Sequence, residues 1–195
     1  MARRPTIEVL ALCAVIFIIQ QLFVVFVNTR AAVEFFALGF PLTEYPWTVV
    51  TSVYAHASWH HLFSNAIVIA LAGLPIEGLT TRVRFHLFVL WTGAFAGFSQ
   101  ILITSELVLG ASGAAFALLG YVLTSNRVTG GLLDMLRLSI RQKIAVYILV
   151  AAGISLMLHT EGAALYGHFT GLLLGLIAGR MNILRSKERN TQVAS

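Results

Sequence analysis

Charge is what this sequence has least of. Lysine, arginine, aspartate and glutamate make up 11% of its 195 residues, where a soluble globular domain carries about 25%. Cysteine is almost absent. Cys13 is the single one, which excludes a disulfide within the chain and any metal centre built on several thiolates. It sits in the first apolar stretch and reads as a small packing residue. No H-E-x-x-H occurs, and although His56 and His60 stand four apart, no carboxylate is near enough to complete a tetrahedral metal set. No metal and no cofactor are expected. Repeats and low-complexity tracts are missing as well.

What remains is apolar. Hydrophobic residues make up 58% of the chain and the mean hydropathy is +0.85, so most of its length belongs in a bilayer. The isoelectric point near 9.9 does not point to nucleic acid, because the basic residues sit in short loops between apolar segments, where membrane topology explains them.

A spanning helix needs about 20 mostly apolar residues, and six segments meet or approach that: 8–27, 60–77, 85–104, 112–126, 140–158 and 165–181. The first, behind Arg3 and Arg4, could pass for a signal peptide. Its apolar run is too long for an ordinary signal and no small-residue cleavage site follows, so a retained span is expected. With the N-terminus inside, only Arg30 among the thirteen lysines and arginines falls outside, whereas Glu34, Glu44, Glu106 and Glu161 all do. That asymmetry predicts both termini in the cytoplasm and an even number of spans. The predicted fold class is thus an all-α polytopic membrane protein, one domain over 1–184 with a polar cytoplasmic tail at 185–195. The outer loop 28–59 carries Pro41, Pro46, Trp47 and Tyr54 and is expected to lie partly in the membrane interface.

Polar side chains inside such segments are costly and mark function by default. Ser112 stands in Gly110-Ala111-Ser112-Gly113 at the start of the fourth span. There, backbone N–H groups without helical partners and the positive end of the helix dipole can stabilise an oxyanion. A plain N-cap serine is the alternative. His168 opens the sixth span, with Gly171 and Gly175 on its own helical face, a spacing that lets two membrane helices pack backbone to backbone. If the partner is the fourth span, through Gly113, Ala117 and Gly120, the imidazole comes within reach of Ser112; otherwise it is a buried histidine bonded to a neighbour. His61 and Asn65 share a face of the second span, where two donors can complete an oxyanion hole. Spans two, four and six all run inward, so these residues fall at one depth. The eight carboxylates lie in outer loops or at the inner face, which leaves a Ser–His dyad without an acid as the simpler reading.

From about residue 47 to 175 the pattern resembles the rhomboid family of intramembrane serine proteases. His61-Leu-Phe-Ser-Asn65 looks like its H-x-x-x-N, Gly110-Ala-Ser-Gly113 its G-x-S-G, and His168-x-x-Gly171-x-x-x-Gly175 its sixth-span motif. The resemblance implies a minimal six-helix bundle in the inner membrane that cuts single-pass transmembrane proteins near the outer face. It implies Ser112 as nucleophile and His168 as base, with His61, Asn65 and the Ser112 amide as the oxyanion hole. His56 aligns with a further family histidine at the outer edge of the site. Three departures stand out: Trp47-Thr48 in place of Trp-Arg, Phe116 in place of the tyrosine under the histidine, and Glu77-Gly78-Leu79 in place of Glu-x-Arg. A rhomboid-like protein that binds membrane segments without cutting them would be marked by loss of the serine or histidine, and both are present. A small transporter would want inverted repeats or mid-span acids, and has neither.

Overall fold

The computed structural model describes residues 4–125, 138–157 and 164–186. Arg127, Gly130, Asp134 and Arg137, expected in an inner loop, Thr160 and Glu161, expected in an outer one, and the tail from Lys187 lie outside the described residues. Among those described, eight helices form: α1 (Pro5–Phe26), α2 (Thr29–Phe36), α3 (Thr48–Tyr54), α4 (Trp59–Glu77), α5 (Arg82–Thr104), α6 (Ser112–Ser125), α7 (Ile140–Met157) and α8 (Leu165–Arg180). Four of them, α1, α4, α5 and α7, are long and apolar enough to cross a membrane, and α6 is a shorter apolar helix.

The helix ends follow from local chemistry. Pro5 opens α1, where its missing N–H costs nothing. The side chains of Ser58 and Thr81 cap α4 and α5 by accepting from the amides of His61 and Arg84. Ser105 closes α5 in the left-handed region at φ 58°.

α6 is the centre of the bundle. It packs against α8, α5 and α4, and Gly113, Ala114, Ala115, Ala117, Leu118 and Tyr121 are all buried. Its contact with α8 is made of backbone. A Cβ on Gly171 would fall on the Gly113 carbonyl, one on Gly175 on the Ala117 carbonyl, and one on Gly120 would meet the Leu172 carbonyl at 2.5 Å. Toward the C-terminal end of α6 the Thr124 hydroxyl donates to the Leu176 carbonyl at 2.7 Å. By contrast α1 and α7 turn long apolar side chains outward, Val25 and Phe26 on one and Leu149 and Met157 on the other.

Residues 28–59, expected as a single interfacial loop, instead fold into α2 and α3 and close over one end of the bundle. The Asn28 side chain caps α2 through the Ala31 amide at 2.8 Å. Phe23, Phe35, Phe36 and Trp47 stack together, and the Trp47 indole N–H donates to the Phe35 carbonyl at 3.2 Å. Thr48, where an arginine would have been the anchor, is buried and donates to the Tyr45 carbonyl at 2.7 Å. An antiparallel bridge from Leu38 to Val108, with N–H to O distances of 2.8 and 2.9 Å, ties the loop to the strap that leads into α6. At the opposite end the Glu8 carboxylate takes up Arg82 and His86, and the Glu77 carboxylate accepts the Thr6 amide at 3.3 Å.

Candidate active site

The N-terminal ends of α4, α6 and α8 meet at the end of the bundle covered by the α2–α3 loop. Gly110 is the hinge of the arrangement. Its φ of 135° is open to glycine and strained for other residues, and a Cβ there would strike the His61 ring at 2.6 Å. The Gly110 amide donates to the Ser52 carbonyl at 2.8 Å, which fixes the strap against α3. The chain therefore enters α6 under the imidazole of His61, with the side-chain amide of Asn65 next to it.

Ser112 is the first residue of α6 and is half-buried. One turn on, Phe116 lies flat against His168 of α8, with ring centroids 4.4 Å apart and planes 8° from parallel. That contact, with Gly171 against Gly113, brings the imidazole to the N-terminal end of α6, beside the turn that carries Ser112. Phe116 keeps the aromatic face that the site needs and offers no hydroxyl.

Asn65 is buried, and its Nδ2 has no hydrogen-bond partner among the described residues. An unpaired buried amide donor costs roughly 1–3 kcal/mol, so its position at a cleft beside Gly110 asks for an acceptor that arrives from outside. His61 is half-buried, and its amide is held by the Ser58 hydroxyl at 3.1 Å.

His56 lies beside His61, with ring centroids 5.1 Å apart. It is fully buried, its Nδ1 lies 3.0 Å from the Tyr54 carbonyl, and its Nε2 accepts a long bond, 3.5 Å, from the Ala111 amide. Burial, and secondarily the nearby His61, pushes its imidazole down to about 4, so the ring is neutral at physiological pH and Nε2 stays an acceptor. His56 thus holds the backbone one residue before Ser112. His60, its partner in the metal reading, is exposed.

A cavity of about 10 Å³ opens beside Ser112, walled by Gly93, Ala96, Gly97, Gly113 and Gly167 among others. That is room for about one water-sized group. A larger groove of about 440 Å³ lies far from it, along the N-terminal half of α5 between Arg84, Trp91 and Ile183.

Sequence reasoning missed Gln100 on α5. Its Oε1 accepts from the amides of both Tyr166 and Gly167, at 3.0 and 3.2 Å, immediately ahead of His168. The one signal available was a glutamine in an otherwise apolar span.

A family model described as the Rhomboid domain matches residues 43–185. The chain belongs to the rhomboid family. It is 24% identical to the rhomboid protease GlpG of Haemophilus influenzae over 190 residues, which covers 89% of this chain and 88% of that one. It is 28% identical to RHOMBOID-like protein 1 and 30% identical to RHOMBOID-like protein 7 of Arabidopsis thaliana, in each case over 67% of this chain. The matched regions span 34% and 42% of those two plant proteins. Family and apolar helices together make this rhomboid a multi-pass membrane protein.

Proposed function

We propose that this rhomboid is an intramembrane serine endopeptidase with Ser112 as nucleophile and His168 as general base. The observation that carries the reading is the stack of His168 on Phe116, one turn from Ser112, at the bundle end where Gly110, His61 and the unpaired Asn65 donor also meet. Likeness to a relative named as a protease supports it.

In the proposed reaction Ser112 Oγ attacks the carbonyl carbon of a peptide bond while His168 takes the hydroxyl proton. The tetrahedral oxyanion is met by the Ser112 amide, the Asn65 Nδ2–H and the His61 ring, donors set in place before the charge forms. Collapse breaks the C–N bond, and His168 returns its proton to the leaving amine. Water then attacks the acyl-enzyme with His168 again as base, which frees the new carboxyl and restores Ser112. The small cavity beside Ser112 fits that water or a methyl-sized side chain. No third acidic residue is needed: Phe116 and the backbone contact at Gly171 orient the imidazole.

The proposed substrates are single-pass transmembrane proteins, cut near the outer face of the inner membrane. Six spans with both termini inside put the site at that face. A cysteine at Ser105 in a Cys13→Ala background is expected to react with an impermeant maleimide in intact cells, and one at Ser195 is not. The reverse pattern overturns the orientation.

The direct test is a fluorophosphonate probe on the detergent-purified protein. Wild type is expected to be labelled covalently and Ser112→Ala to stay unlabelled. Equal labelling of the two, or none of wild type, overturns the assignment of Ser112.

A further inference from the structure

The backbone contact between α6 and α8 fixes how closely the two helices approach, and the one directional bond along it, from Thr124 to Leu176, lies far from His168. Gly171 and Gly175 present no side chain to lock into a notch on Gly113 and Ala117. α8 also starts without a side-chain cap of its own, since its N-cap residue is Ala164. The first N–H groups of a helix have no partner within it, and buried ones need a partner elsewhere.

Gln100 supplies that partner from α5. The side chain is 4% exposed. Its Oε1 receives the Tyr166 and Gly167 amides at 3.0 and 3.2 Å, and its Nε2 donates to the Thr104 hydroxyl at 3.4 Å. The amide orientation is dictated, because reversing it would aim an NH2 group at two N–H donors. Beside it, the Ser99 hydroxyl reaches the Tyr166 carbonyl at 3.2 Å. The next amide in the chain, that of His168, makes the first bond inside the helix, to the Ala164 carbonyl at 2.8 Å.

We infer that Gln100 is a positioning residue for the general base: it caps α8 from the neighbouring helix and sets the axial height of His168 against Ser112. This rests on the reading of His168 as base. Directional hydrogen bonds supply what the smooth glycine contact lacks. Lateral distance comes from the stripe, and depth comes from Gln100.

The test compares Gln100→Met, which keeps the bulk and removes the acceptor, with Gln100→Glu, which keeps two acceptor oxygens at a helix N-terminus, where negative charge is favoured. Thr124→Val serves as the control, since it removes a hydrogen bond to the other end of α8, at Leu176. All are measured in detergent with a transmembrane substrate, by kcat, KM, thermal unfolding and hydrogen exchange of the Tyr166 and Gly167 amides. Gln100→Met is expected to speed exchange at those two amides. Its kcat is expected to fall by about ten- to a hundred-fold with KM nearly unchanged, since misplacement by about 1 Å carries a penalty of that order. Gln100→Glu is expected to recover most of the rate. Unaltered exchange in Gln100→Met, or a kcat no lower than in a Thr124→Val protein of equal unfolding temperature, overturns the inference. Failure of wild type to cut any substrate would sink the protease reading instead, and the exchange measurement would still decide whether Gln100 caps α8.

Discussion

α6 and α7 are both apolar helices of a membrane protein, and they are built on opposite plans. α6 has 14 described residues and buries all three of its glycine and small-residue contacts with α8 in protein. α7 has 18 residues and buries Tyr147, Ala151 and Ser155, while Leu149 and Met157 stand open to lipid. Hydropathy alone would not have ranked them. The helix that carries a serine at its tip is the one walled in by protein, because a polar terminus and close backbone contacts are tolerable only where lipid is kept away. The helix with the open apolar face keeps Tyr147 and Ser155 on its buried side and turns leucine and methionine outward.

Four measurements would break or sharpen that contrast. The largest effect belongs to the dyad at the tips of α6 and α8. Ser112→Ala and His168→Ala are each expected to abolish cleavage of a transmembrane substrate with folding retained, since losing either half of such a unit costs nearly as much as losing both. Near-wild-type turnover in either variant rejects the assignment.

Next comes the stripe itself. In Gly171→Val the new side chain would have to displace the Gly113 carbonyl. Overpacking of this kind costs about 1–3 kcal/mol, and a shift of His168 by about 1 Å costs roughly a hundred-fold in rate. Thermal unfolding and kcat are expected to drop together. Full activity in this variant would mean that the helices can separate without consequence.

Asn65→Ala tests the unpaired donor, in two opposed directions. Losing one oxyanion donor costs on the order of a hundred- to a thousand-fold in kcat, while stability is expected to hold or rise, because an unsatisfied buried group is removed. A loss of stability without a loss of rate would make Asn65 a packing residue. At the far end of the scale, Leu149→Ala on the lipid face of α7 is expected to move unfolding by no more than about 0.5 kcal/mol. A larger effect, read from a thermal melt, would show that this face is covered.

Much of the scaffold was legible before any coordinates. The starts of α4, α6, α7 and α8, and the last residues of α4 and α8, fall within a residue of the apolar segments that predict them, because Ser58, Gly110 and the polar flanks punctuate the chain locally. The i, i+3, i+7 face of His168, Gly171 and Gly175 was equally readable, and Gly113 and Ala117 turn out to be what it meets. What escaped was tertiary. α2 and α3 are too short and too mixed to announce themselves, and they exist because Phe35, Phe36 and Trp47 find one another and Phe23. Neither the Leu38–Val108 bridge nor the reach of Gln100 across to α8 leaves a mark in local sequence, since each pairs residues more than sixty apart. The bond from the Ala111 amide to His56 is equally silent, because Ala111 carries no side-chain signal.

The seam between α6 and α8 also orders events at the ribosome. Ser112, Phe116 and the strap before them are synthesised well before His168, so the emerging chain carries half of its machinery through most of its insertion. Until α8 arrives, the Gly113, Ala117 and Gly120 backbone and the Thr124 hydroxyl have no helix to lie against. The arrival of α8 therefore both seals that furrow and switches on the proposed chemistry. A nascent rhomboid of this design is silent toward its membrane neighbours until α8 is in place.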